Sequence, residues 1–588
     1  MQIPAEYYQQ RLEHYKKQRQ TVGRALRYTS VLRLFVFAGT AIFVYYFFDL
    51  PAFWIPGAVV GLGIFLYLVK RYQSQKYERD KTDHLIRINE TELQVLQKNF
   101  HHLDAGEEFI DPSHDFSHDI DLFGKASFFQ YLNRTATLSG RSGLAELLLK
   151  NDPSGIADRQ EAIKELSEKS DWRQEFQATA LMVENKEQLK AVLERIKSFS
   201  PSLPGNLKWL PLVFSIASIV MLSLAISSVL PASYVVYWFI FGILISGSFF
   251  RRITALSLRV SAAQEIFAQY YKLLNLIEET GFQAEKLTVM KAKLNASDPA
   301  GILLKKLSRY IDALDQRNNL LVGIIGNAFF QMDLYNGYRI ESWLSQHQKE
   351  ILNWFEAVSE FDTYSSFGNF AFNHQHYHFP ELTGEPITLS ASTLGHPLIA
   401  EAKMIMNDIE IQRGEFFVIT GANMAGKSTF LRTVSLSIVM ANTGLPVFAS
   451  SFSYNPIRLI TSMRTSDSLS DEASYFFAEL KRLKRIREKL KDQDYFVILD
   501  EILKGTNSKD KAIGSRKFVE YLSDTHSTGI IATHDLSLCE IEKDREEVKN
   551  YFFDATIKND ELSFDYKLRK GICTNMNASF LLSKMGIV

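Results

Sequence analysis

The sequence predicts a multidomain chain with four transmembrane helices in two hairpins, an all-α body and a C-terminal α/β domain. Three observations predict it. Two pairs of long apolar runs lie within 31–70 and 209–250. The stretches beside them carry apolar residues at helical spacing with few prolines, and from about 363 short β-rich runs alternate with helical ones.

The first pair is Val31 to Phe48, with Arg33 one turn in, and Ala52 to Val69, joined by Asp49-Leu50-Pro51. The second is Trp209 to Leu230 and Ala232 to Phe250, separated by Pro231. At about 1.5 Å per residue each run covers roughly the 30 Å of a hydrocarbon core. Lys16, Lys17, Arg19, Arg24, Arg27, Lys70, Arg71, Lys208, Arg251 and Arg252 flank the pairs, while the turns hold no Lys or Arg. The positive-inside rule then places both termini and every long segment in the cytoplasm of a multi-pass protein of the cell membrane. Arg33 is expected to snorkel to the interface.

Composition narrows the rest. Hydrophobic residues are 46% and charged ones 23%, which excludes wholesale disorder. Sixty-six Lys and Arg against 67 Asp and Glu exclude a nucleic-acid binder driven by overall charge, though not one with a local basic surface. Cys539 and Cys573 are the only cysteines of the sequence, so neither a disulfide scaffold nor a cysteine-ligated zinc site can be built. The segments read as 1–30, basic and cytosolic; 31–70, hairpin one; 71–118, helical connector; 119–208, helical body; 209–250, hairpin two; 251–362, helical body resumed; and 363–588, the α/β domain.

In that last domain Gly421-Ala422-Asn423-Met424-Ala425-Gly426-Lys427-Ser428-Thr429 fits G-x-x-x-x-G-K-[ST]. It follows a strand, Phe416–Thr420, and leads into a helical run, the context this phosphate-cradling loop requires. Lys427 is positioned by that pattern to reach β- and γ-phosphates and Ser428 to hold Mg²⁺. Tyr495–Leu499 is a second strand ending in Asp500, a second Mg²⁺ candidate, and Glu501, a candidate base for water. Ile530–Thr533 is a third, ending in His534, a candidate γ-phosphate sensor. Strand, acid pair, strand and His in this order describe an ABC-type P-loop ATPase using ATP and Mg²⁺. Such ATPases hydrolyse at a dimer interface.

The resemblance then becomes specific. Gly395-His396-Pro397-Leu398, Asn407-Asp408 and Asn423-Met424 inside the loop resemble the ATPase domain of the MutS DNA mismatch-repair family. Met463 to Leu469 and Ser474 to Glu479 resemble its trans-acting signature, Gly505-Thr506-Asn507 its D-loop, and Ala532-Thr533-His534 its switch. Asp121-Leu122-Phe123-Gly124, Leu132 to Thr135, and Phe361-Asp362 resemble its helical core and levers. The resemblance covers about 119–208 and 251–588. It implies a nucleotide contact at His396, a homodimer completed by the partner's Ser474, and DNA, mismatched or branched, as ligand. Nothing in the chain resembles the family's mismatch-reading domain, and hairpin two interrupts the helical core.

Two weaker patterns remain open. Lys481 to Lys491 is a basic helix, either a solvated face or a contact for phosphates of DNA or lipid. His374, His376 and His378 alternate as on the domain's first strand, with a metal site as the sharper alternative. The rival readings of the whole chain are an ABC-type transporter and a membrane scaffold whose ATPase never touches DNA.

Overall fold

The computed structural model describes residues 3–183, 186–294, 298–422, 424–464, 475–504, 506–558 and 561–573. Pro4 and Pro51 each open a long helix at its first turn, where a missing N–H costs nothing. Pro4–Tyr46 has 43 residues and Pro51–Leu96 has 46, so each is about 65–70 Å long, twice the hydrocarbon thickness. They form one antiparallel hairpin. Its apolar windows are only 6% buried. The two backbones approach where Gly57 and Gly61 lie under Phe43 and Thr40, positions at which a Cβ would collide.

The charged lower half of this hairpin docks on the helical body. Tyr7 and Tyr8 pack against Phe372, and Leu85 and Ile88 against Ala178. The body is organised along Met332–Asn373, a 42-residue helix with Trp354, Phe361 and Phe367 fully buried. Asp362 on this helix accepts from the Ala136 and Thr137 amides (3.0 and 2.8 Å) and from Thr137 Oγ1 (2.6 Å). Thr137 in turn caps Leu138–Lys150 through the Gly140 amide at 2.9 Å. The second apolar pair is Leu210–Ile226 and Ser233–Val260, joined by a Phe214–Trp238 stack and a Trp238–Ser218 hydrogen bond of 2.7 Å. With the short turn of helix before it, so that the third span runs Gly205–Ile226, all four are long and apolar enough to cross a membrane. A further apolar helix, Leu320–Phe330, was not anticipated.

The C-terminal region carries strands β1 (Glu381–Leu382), β2 (Ile387–Leu394), β3 (Asn407–Gln412), β4 (Phe416–Gly421), β5 (Ser451–Tyr454), β6 (Arg458–Ser462), β7 (Tyr495–Asp500), β8 (Thr528–Ala532), β9 (Val548–Lys558) and β10 (Glu561–Lys570). One sheet has the order β1-β5-β2-β3, the other β10-β9-β4-β8-β7-β6. In the second, β9, β4, β8, β7 and β6 run parallel and β10 is antiparallel to β9. Every residue of β4 is buried, as a parallel strand covered on both faces must be. The glycine-rich loop therefore emerges from the middle of the sheet, beside the C-terminal ends of β7 and β8.

The alternating histidines are not on a strand. The long helix continues to Asn373 and His374 is its C-cap. His374 stays buried between helices because its ring nitrogens face the Phe370 carbonyl (2.7 Å) and the Tyr131 hydroxyl (2.6 Å). His376 and His378 turn outward toward Glu401 and Glu381. Among the described residues these histidines join no group of three or more His, Cys, Asp or Glu side chains that could hold a metal ion.

Candidate nucleotide-binding site

The loop's geometry follows from its glycines. Gly421 (φ +146°) has no room for a Cβ beside the Phe553 carbonyl, and Gly426 (φ +102°) turns the chain into the helix Lys427–Thr443. The helix N-terminus faces a cleft of about 590 Å³. Gly426, Lys427, Ser428, Thr429, Asp500, Glu501, His534 and His396 all line it. Gly421 and Ala425 shape the loop from behind, while Ala422 and the exposed Met424 reach the cleft. Asn423 and Ser474 lie outside the described residues.

Lys427 is buried, and its Nζ donates to the carbonyls of Gly421 (2.9 Å) and Ala422 (3.0 Å). Burial pushes its pKa down, opposed by Asp500 and Glu501. An ammonium held by two neutral carbonyls can be redirected by an anion at modest cost. Ser428 Oγ donates to Asp500 Oδ2 at 2.7 Å, so the two oxygens expected to hold a cation already converge. Glu501 has φ +48°, its amide bonded to the Ala532 carbonyl (2.9 Å), which turns its carboxylate off the strand line into the cleft. There it meets His534 Nε2 at 3.1 Å, and the same nitrogen stands 3.2 Å from Lys427 Nζ. Burial first, then Lys427, lowers the His534 pKa against the opposing pull of Glu501, which favours the neutral ring. Its tautomer decides whether it donates to Glu501 or accepts from Lys427.

Tyr566 and Asp119 were not singled out in the sequence, and Asn407, quoted there only within the Asn407-Asp408 pair, gains a role from the fold. Tyr566 (φ +54°), on a bulge of β10, packs beside Gly426 and lines the cleft. Asn407 fixes that bulge, donating to the Tyr566 carbonyl (3.0 Å) and accepting from the Leu568 amide (2.7 Å). Asp119, from the helical body, accepts from Thr461 Oγ1 (2.6 Å) and from the Met463 and Arg464 amides (3.1 and 2.9 Å). It thereby grips the chain where the stretch that resembles the signature begins. Asp121 nearby pairs with Arg464 and, at 3.3 Å, with Arg432 of the loop helix.

The basic helix, Tyr475–Lys489, divides by face. Arg482 and Arg485 bond the Asp115 and Ser113 carbonyls (2.6 and 2.7 Å), and Arg485 and Lys489 pair with the Asp115 carboxylate. Lys481, Lys484 and Arg487 remain exposed, as does Lys491 just past the helix end. Glu479, buried at the start of the helix, accepts from the Leu503 and Lys504 amides and so holds the segment after Glu501.

Burial also drives His396 down to about 4 and His374 to about 3. An unfolded His titrates near 6.5. The unfolded chain thus binds these protons first, and stability falls as pH drops from about 6.5 toward 4 and 3. The thermal midpoint of the solubilised protein should be lower at pH 5 than at pH 7.5, with a shallower fall in His374→Gln. Equal slopes would refute that origin.

Residues 417–582 match the family model of MutS domain V. "MutS protein homolog 4" of Homo sapiens is 32% identical over 233 residues, 38% of this chain and 24% of the relative. "DNA mismatch repair protein MutS" of Caldicellulosiruptor bescii is 29% identical over 245 residues, 40% of this chain and 28% of the relative. The protein of the same name from Methanosarcina mazei is 31% identical over 241 residues, 40% and 26% respectively. The chain thus spans about a quarter of the length of the curated relatives it matches.

Proposed function

We infer, from a C-terminal domain that belongs to the MutS family, that this chain is a membrane-anchored ATPase related to mismatch repair, whose nucleotide state sets helical levers around DNA. One observation carries the reading: Lys427, the Ser428–Asp500 pair and the Glu501–His534 pair converge on one cleft under a glycine-hinged loop. The fit to nucleotide is chemical. Among the described residues the buried cation has no direct carboxylate partner, and the loop and helix N-terminus offer donors to an anion.

Ser428 and Asp500 would hold Mg²⁺, which supplies charge neutralisation at the phosphates. The amides of 421–429 cradle the phosphates, and Lys427 leaves its carbonyls to meet the terminal one. Glu501 orients the attacking water and takes its proton. Neutral His534 stands where it can relay that change to Lys427. Met404, Ile405, His396 and Tyr566 form the half-apolar flank of the same cleft, suited to a base. A homodimer in which each partner's Ser474 closes the other site is part of this proposal. Lys427→Ala should weaken binding of a fluorescent ATP analogue itself; unchanged affinity would remove that lysine from the site.

Both apolar pairs are proposed to enter from the cytoplasm. Single cysteines at Asp49 or Ser233 should react with an impermeant maleimide outside intact cells, with the unmutated chain as blank, since Cys539 and Cys573 are buried. External labelling near residue 150 or 450 would overturn this topology.

DNA contact is assigned to the exposed side of the basic helix. Lys481→Glu with Lys484→Glu should weaken binding to all duplexes and flatten the salt slope by about one unit per lost phosphate contact. A second reading, a scaffold that ignores DNA, draws on Arg482, Arg485 and Lys489 being engaged internally. Absence of DNA binding in every nucleotide state would favour it.

A further inference from the structure

The helix Leu320–Phe330 has the composition of a membrane segment but, at 11 residues, cannot span. Its surroundings say where it lies. Ahead of it, Arg317 stacks on Phe250 and donates to Thr254 Oγ1 (3.2 Å), beside the basic pair Arg251-Arg252 that ends the fourth apolar run. At its other end Phe329 packs on Phe239, and Gly242 lies so close to the Ala328 carbonyl that no Cβ would fit. Gly242 is nine positions before Arg251, about 14 Å along the helix, or close to half the hydrocarbon thickness. The chain then reverses at Gln331 (φ +49°), and Met332–Asn373 passes Ile253 and Leu256 at Gly337 on its way back.

We propose that Leu320–Phe330 is a re-entrant helix, dipping from the cytoplasmic side to about mid-bilayer against Ser233–Val260 and facing lipid acyl chains. The proposal rests on the membrane reading above and deepens it. Leu320 and Leu321 are 73% and 70% exposed, and Ile325 is 50% exposed, a face with no protein cover.

A chain reversal at membrane depth survives only if its backbone groups are satisfied by protein. They are. Gln331 is fully buried, donating to the Gly242 carbonyl (2.8 Å) and accepting from Ser246 Oγ (2.7 Å). Ser215 Oγ donates to the Phe330 carbonyl (3.1 Å), and Asn327 Oδ1 accepts from the Asp333 amide (3.0 Å). Asp333, two residues past the turn, is paired with Arg317 at 3.3 Å, both nearly buried, so the charge beside the reversal is also met by protein. Such a set has no purpose around a surface loop, where water would serve. Because the returning helix is the one that runs to Asn373 at the α/β domain, the dip fixes the lever's far end in lipid.

The test uses the full chain in phosphatidylcholine–phosphatidylglycerol vesicles, spin-labelled at single cysteines placed at Leu321, Ile325, Ile216, Leu244 and Lys150. Oxygen and a nickel chelate report lipid and water. Positions 321 and 325 should lose nickel collisions relative to 150 and gain oxygen collisions, 325 more than 321, as at 216 and 244. Nickel-accessible 321 and 325 with lipid-exposed 216 and 244 would overturn the re-entrant helix alone. Nickel access at all five would overturn the membrane reading with it.

Discussion

Glu501→Gln is expected to bind ATP and Mg²⁺ as the parent does and to lose hydrolysis by about 10²–10⁴-fold, the usual worth of a positioned base. The amide keeps the size and the backbone anchor, because the turn is held by the Glu501 amide on the Ala532 carbonyl, not by the side chain. Lys427, Ser428 and Asp500 are bonded without help from this carboxylate. Binding and chemistry should therefore separate. ATP trapped without turnover, measured by filter retention alongside phosphate release, is the expected pattern. Turnover at the parental rate would remove Glu501 from its assigned role. Loss of ATP binding would mean that its charge is structural, acting through His534.

Why those residues were readable, and others not, follows from what each depends on. The loop Gly421–Thr429 is local: glycine conformations, an ammonium and a hydroxyl are needed at fixed spacing on one strand–helix turn, so the linear pattern records them. Asp500 and Glu501 are nearly as local, since the end of a buried strand is marked by its apolar run. Tyr566 reaches the same cleft only because β10 pairs antiparallel with β9 and bulges between Phe564 and Leu568. No short window encodes that register. Asp119 and Asp115 sit more than 340 residues from the backbone and side chains they hold, and their function is invisible until the chain is folded. The histidines at 374, 376 and 378 mislead for the opposite reason. Their alternation is a local pattern, but the helix before them gains more by extending to Asn373 and burying Phe370 and Phe372. Leu320–Phe330 escaped notice because a spanning criterion tests length, and a helix that turns back needs only half of it.

Glu92→Ala is expected to be among the most destabilising single changes in the helical body, by about 3–5 kcal/mol. Glu92 and Arg134 form a buried pair at 2.5 Å, with side chains 2% and 7% exposed. Removing the carboxylate strands a guanidinium that, among the described residues, keeps only the Asn133 carbonyl as partner. It also frees the Asn373 amide, which donates to Glu92 at 2.7 Å while its oxygen accepts from Tyr8 (2.7 Å). Through this one cluster the N-terminal helix, the helix Pro51–Leu96, the body at Arg134 and the end of the long helix are tied together. A stranded charge and a lost tie predict different rescues. Arg134→Met added to Glu92→Met removes the charge and restores apolar volume, and should recover most of the thermal midpoint of the solubilised protein if desolvated charge is the cost. Should the double variant stay as unstable as Glu92→Ala, the hydrogen bonds to Asn373 and Tyr8 carry the energy. In that case Asn373→Ala alone would reproduce the loss. A double variant that is stable but hydrolyses ATP without responding to DNA would give the pair a further role, as the joint through which the hairpin and the long helix move together.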